Sequence, residues 1–274
     1  MMINERGTTE MTCTAENKKL VLIAGASAGI GRAYFDHYIR QKNIICYGIG
    51  RKSSNNTHHI KADLLDKEHA ESVAKNLNPE NVSSILYMHL IGLDKFEPEG
   101  IPEIDEDKDG IDDRVLASNF ETFKNLAVPL IAKAQEYNKR IHIVNVGSIS
   151  DIYKVMFWQS FSRAKDEIRR FMKEQPPELF STFLNVSSVA TDFEKYGRPY
   201  ADTRYWLRPE ELVSRSLSII ERDTTASRYI EVDIFNPDPN FRSDYFTNLP
   251  ELLKKWKHDM GIKEDEEVPR GLRI

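Results

Sequence analysis

Apolar and polar positions fall along the chain in blocks whose period switches between strand and helix. The apolar run 20–24 meets three glycines, Gly25, Gly29 and Gly31, and residues of helical character follow to Tyr38. Further apolar runs at 43–50, 59–64, 84–91, 140–146, 179–186 and 228–235 predict six more strands. Between them, 66–77 has its apolar residues at Ala70, Val73, Ala74 and Leu77, a helical spacing. Residues 114–137 and 157–173 also read as helices, and Pro209-Glu210-Glu211 opens another. Strands alternating with helices predict a doubly wound α/β fold, a parallel sheet of about seven strands covered on both faces. Residues 18–235 form this single domain, 1–17 (polar, without an apolar core) a flexible tail, and 236–274 a C-terminal extension with one short helix. The pattern shows no repeat and no second core.

The layout of strand, glycine turn and helix at 18–38 is that of a dinucleotide-binding corner. Gly25 suits the tight turn off the strand, Gly29 lets a phosphate approach the backbone, and Gly31 lets the helix pack close to the sheet. The helix N-terminus, with Ser27 and Ile30 beside it, offers free N–H groups and partial positive charge to a diphosphate. An ordinary β–α turn is the plain alternative.

Bulk properties narrow the classes. The net charge of −5 gives no general electrostatic reason to bind nucleic acid or an acidic membrane. Two cysteines, Cys13 and Cys46, predict no disulfide framework, and no apolar run reaches the ~20 residues of a membrane helix. The expectation is a cytoplasmic protein.

Several separated segments resemble the short-chain dehydrogenase/reductase family over roughly residues 18–235. Ala24-Gly25-Ala26-Ser27-Ala28-Gly29-Ile30-Gly31 is similar to the family's TGxxxGIG turn, with Ala24 for Thr. Asp63 matches the Asp that holds the adenine amino group, and Asn119 the Asn of the long fourth helix, which accommodates a relay water. Residues 143–148 resemble the fifth strand, with Ser148 as the catalytic Ser that hydrogen-bonds the substrate oxygen. Lys165 takes the place of the Lys of YxxxK, which holds the nicotinamide ribose. Residues 189–193 resemble the end of the sixth strand, where Thr191 would bind the nicotinamide carboxamide. The resemblance implies hydride transfer between nicotinamide and a carbonyl or alcohol of a small molecule. It also implies pairing through the fourth and fifth helices into a homodimer or homotetramer. Arg51 and Lys52 follow the second strand directly, where a basic pair suits the 2′-phosphate of NADP over NAD; two solvated charges in a turn are the plain alternative.

The chain departs from the family pattern at its chemical centre. Phe161-Ser162-Arg163-Ala164-Lys165 fills the YxxxK place, so Phe161 stands where a catalytic Tyr belongs and has no O–H. The family's NNAG reads His89-Leu90-Ile91-Gly92, and the Pro-Gly after the sixth strand is missing. Three explanations stay open. His89 or Tyr153 supplies the proton, or water or the substrate does, or the chain is a catalytically inactive NADP(H)-binding regulatory or interaction protein.

Two further stretches draw attention. Residues 193–208 take the place of the family's substrate lid, and their interleaved Tyr, Trp and Arg suit either an acidic or planar small molecule or a partner surface. Residues 105–113 match the front of an EF-hand loop, but Leu116 falls where the bidentate Glu belongs. That loop and the His58-His59 pair both read as solvated, and no metal site is expected.

Overall fold

The structure, a computed structural model, describes residues 18–52, 57–101, 103–175, 179–222, 228–236 and 244–269. The expected N-terminal tail lies outside them. Seven parallel strands form one sheet: β1 (Lys18–Ala24), β2 (Ile44–Gly50), β3 (His59–Lys61), β4 (Val82–His89), β5 (Arg140–Ser148), β6 (Leu179–Val186) and β7 (Tyr229–Ile234). Their order is β3-β2-β1-β4-β5-β6-β7. The order reverses between β1 and β4, which opens a crevice at their carboxyl ends, the usual ligand position in such sheets. Leu20 to Ala24 pair with β2 on one side and β4 on the other and are almost wholly buried. This explains why the run is apolar without alternation.

One face of the sheet is covered by α2 (Lys67–Asn76), α4 (Thr122–Glu136) and α6 (Gln159–Lys173), whose Val73, Leu126 and Ile168 enter its core. The other face carries α1 (Gly29–Tyr38) and α8 (Pro209–Ile220), joined through the hydrogen-bonded pair Tyr34 and Ser216. Asp66 caps α2 by accepting from the N–H groups of Glu68 and His69.

The long helix expected at 114–137 is not regular. A short α3 (Asp113–Leu116) passes into a π turn at Ala117–Glu121 before α4 begins. The widened turn contains the buried Asn119, and such turns concentrate at functional sites. The strand expected at 59–64 ends at Lys61.

The C-terminal extension builds what hydrophobic spacing did not announce. Its helix α9 (Leu249–Met260) is capped by Asn248 and ends on Gly261, which has φ +77°. Leu252 and Trp256 of this helix pack with Phe96, Val155, Phe157 and Trp158 into a third apolar cluster. Trp256 lies 4.4 Å from Trp158 and 5.8 Å from Phe96, ring centre to ring centre. The extension thus shares an apolar cluster with the segments that follow β4 and β5.

Candidate active site

The carboxyl ends of β4, β5 and β6 and the first turn of α1 open into one cavity of about 980 Å3. Of the sequence-predicted site residues, Ile30, Asn119, Ser148, Phe161, Lys165 and Thr191 all line it. Gly25 and Ser27 form the turn beneath and Gly29 and Gly31 lie in the first turn of α1, whereas Arg51 and Asp63 follow β2 and β3 farther along the same edge. Arg51 is exposed, and Asp63 accepts the Leu65 N–H at 3.1 Å.

The glycine turn fits a diphosphate. Gly25 and Gly29 have φ of +87° and +54°, where side chains other than glycine are disfavoured. A Cβ on Gly31 would stand 2.2 Å from the Gly25 carbonyl oxygen, so only glycine allows α1 this close to the turn. Ala28 at the start of α1 offers no side-chain cap, and the first turn holds no acidic residue. The positive end of a ten-residue helix is therefore left to a ligand.

Ser148 ends β5 and caps a short helix, α5 (Ile149–Ile152). Its hydroxyl accepts the Ser150 N–H at 3.2 Å, while the buried Asp151 carboxylate accepts the Ser148 N–H at 2.9 Å. Asp151 in turn meets Arg169 at 2.5 Å, and Arg169 also donates to Asn185 and Glu231. This buried network ties α5, α6, β6 and β7 together beneath Ser148. Ser150, which also lines the cavity and lies 2.8 Å from the Ser148 hydroxyl, was not singled out by spacing.

Lys165 is buried, and its ammonium lies 5.1 Å from the centre of the Phe161 ring. Burial pulls its pKa down to about 8, and Asp151 and Asp94 counteract the fall. The Asn119 amide donates to the carbonyls of Leu93 and Val115, leaving its buried Oδ1 without a partner. An orphaned buried acceptor beside a cavity suits an ordered water. Thr191 caps α7 (Asp192–Gly197) by accepting the Glu194 N–H, and its hydroxyl proton stays available to donate.

The structure bears on two readings that the sequence leaves open. His89, proposed as a proton source at the strand end, does not line the cavity. It is wholly buried between Thr122 Oγ1 at 3.0 Å and the Asn145 amide at 3.1 Å. Burial, then Lys165, hold its pKa well below the usual value, so it stays neutral. From the stretch 193–208, Arg198, Asp202, Tyr205 and Trp206 line the cavity. Arg198 is buried and bound to Glu194 and Asp259, and Arg204 pairs with Asp202. Trp206 is buried, while Tyr196 and Tyr200 face outward. Tyr153 does line the cavity, stacked on Phe246 at 4.7 Å.

Asp105, Asp107 and Asp109 place carboxylate oxygens within 4.8 Å of one another. Asp105 accepts the N–H groups of Asp109 and Gly110, which is how this loop turns back on itself. None of its described helices is long and apolar enough to cross a membrane.

No protein-family profile matches the chain, and no curated protein resembles it in sequence. Its fold is shared with solved structures. A closed form of a serine dehydrogenase complexed with NADP+ superposes with a TM-score of 0.63 at 18% identity, over 81% of this chain and 98% of that one. A short-chain dehydrogenase from Salmonella enterica gives 0.65 at 17% identity, over 80% and 97%. An alcohol dehydrogenase from the archaeon Thermococcus sibiricus, complexed with 5-hydroxy-NADP, gives 0.63 at 15% identity, over 82% and 100%. In architecture the chain is a seven-stranded Rossmann-type α/β domain like those of the short-chain dehydrogenases.

Proposed function

We propose that the protein is an atypical short-chain dehydrogenase/reductase, an NADP(H)-dependent oxidoreductase acting on a carbonyl or alcohol of a small molecule. One observation carries the reading: an uncapped helix N-terminus on a glycine turn stands at the edge of the cavity that holds Ser148, Lys165, Asn119 and Thr191. When bound, the nicotinamide supplies or accepts a hydride.

The chain's own residues do the rest. The turn at Gly25, Ser27, Gly29, Ile30 and Gly31 holds the diphosphate through main-chain N–H groups. Asp63 takes the adenine amino group, and Arg51 the 2′-phosphate that distinguishes NADP from NAD. Lys165 holds the ribose and Thr191 the carboxamide. Ser148 donates to the substrate oxygen and steadies charge developing there, and Asn119 Oδ1 keeps a water for proton traffic. Phe161 keeps the ring of the family's Tyr without its proton, and loss of a general acid costs ~10²–10⁴ in rate.

Fluorescence titration tests the cofactor. NADPH is expected to bind more tightly than NADH, and Arg51→Ala to remove the difference. Equal affinities in the unaltered chain end the role of Arg51; no binding of either ends the reading. The ring at Phe161 favours a second reading, a cofactor-binding regulatory or interaction protein without turnover. It predicts tight NADPH binding with no carbonyl-dependent oxidation.

A further inference from the structure

Resting on that reading, we infer that Asp94 is the proton donor of the reaction, doing from the loop after β4 what the Phe161 ring cannot do from α6. Asp94 is a half-buried residue of the cavity wall that Lys165, Ser148 and Phe161 share. Its Oδ1 is buried without a hydrogen-bond partner. No ion pair joins it to Lys165, although the two charges act on each other. A carboxyl serving only as the lysine's counter-ion would close that pair.

The neighbours of Asp94 hold it in place. On one side, the Asn119 amide fixes the Leu93 carbonyl at 2.8 Å. On the other, Lys95 is buried between Glu103 at 2.5 Å and Asp112 at 3.3 Å, and Phe96 is fully buried against Trp158 and Trp256. The backbone is thus fixed on both flanks of Asp94, which limits how far its carboxyl can move in the cavity wall.

The surroundings also keep the proton on. Burial, then Glu194 of α7 and Glu97 of the same loop, raise the Asp94 pKa well above the carboxylate range. Lys165 of α6 and Arg198 beyond α7 oppose them. Arg198 is already engaged by Glu194 and Asp259. In the reductive direction the carbonyl carbon gains a hydride from the reduced cofactor, and its oxygen takes the proton from the Asp94 carboxyl. The new carboxylate feels the charge of the Lys165 ammonium and regains a proton from water. In the oxidative direction the carboxylate receives the alcohol proton.

The test combines two readouts. Carbon-13 NMR of the Asp-labelled protein, with Asp94→Asn assigning the signal, is expected to find this carboxyl protonated at neutral pH. In single turnovers with NADPH and 4-nitrobenzaldehyde, the rate is expected to fall as pH rises through the pKa found by NMR. Asp94→Asn should lower it by ~10²–10⁴ and abolish that limb, with NADPH affinity unchanged to about twofold. Asp94→Glu should recover part of the rate, and Phe161→Tyr added to Asp94→Asn should restore roughly tenfold or more. An ionised Asp94 at neutral pH, an unchanged rate in Asp94→Asn, or no oxidation of bound NADPH overturns the donor role. Failure of NADPH to bind at all overturns the parent reading instead.

Discussion

The Arg198 guanidinium donates to the Asp259 carboxylate at 2.6 Å, with both side chains almost fully buried. The same guanidinium lies 3.9 Å from the centre of the Trp256 ring and donates to Ser188 and Glu194. One residue thus joins the end of β6, α7 and α9, the elements that wall the outer cavity. Lys255 adds a second cation to Asp259 at 2.6 Å.

Removing that junction should loosen the C-terminal segment before the sheet. Breaking a buried ion pair on one side costs about 3–5 kcal/mol, because the remaining charge is left unpaired. Lys255 offsets part of this at Asp259. Arg198→Ala is therefore expected to lower the urea midpoint and to open α9 to proteolysis first. Equal protection of α9 in both proteins would show that Trp256 packing holds the segment alone.

Phe161→Tyr places a phenol beside the Lys165 ammonium, which now lies 5.1 Å from the centre of the Phe161 ring. NADPH affinity is expected to stay unchanged, and aldehyde reduction to rise, mostly on the alkaline side where the Asp94 carboxyl has lost its proton. The phenol would keep its own proton to higher pH. The pH profile of NADPH oxidation checks this, and a fall in activity at every pH would mark Phe161 as an adaptation to a particular substrate.

Lys165 is a stability cost in the unliganded protein. Its folded pKa of about 8 lies below the 10.5 of the unfolded chain, so between those values the unfolded chain holds more protons and stability rises with pH. Below pH 8 the full cost, up to ~3 kcal/mol, is present. Lys165→Met is expected to raise the melting temperature at neutral pH, with the gain shrinking toward pH 10.5, while NADPH binding weakens. Calorimetry across that range measures both.

His142 sets part of the acid limit. It is hydrogen-bonded to Thr182 at 2.9 Å, and burial, then Lys19, pull its pKa to about 4. Between pH 6.5 and 4 the unfolded chain takes up the proton first, so stability falls with pH, by up to ~3 kcal/mol. His142→Gln keeps a polar partner for Thr182 without the titration. Its stability is expected to decline less over that window, as denaturant melts at each pH would record.

The architecture was legible because its signals are local. A buried parallel strand must be apolar throughout, as Leu20 to Ala24 are; positive φ favours glycine at Gly25 and Gly29, and the close approach of α1 to the turn requires it at Gly31. Ser148 and Lys165 were singled out by the resemblance of their segments to a known family, and the structure brings both to one cavity.

What tertiary structure alone decided lies in pairings across long sequence separations. No periodicity marks Asp94 as a carboxyl within electrostatic reach of Lys165, or Trp256 as the ring that meets Trp158 and Arg198. His89, at a strand end, could be a proton source or a core histidine, and Thr122 and Asn145 make it the second by enclosing it. Arg198, in a stretch that suits either a ligand or a partner surface, is engaged because α9 brings Asp259 to it. Local sequence sets backbone shape through sterics and burial pattern, whereas the charge state and availability of a side chain depend on what the folded chain packs around it.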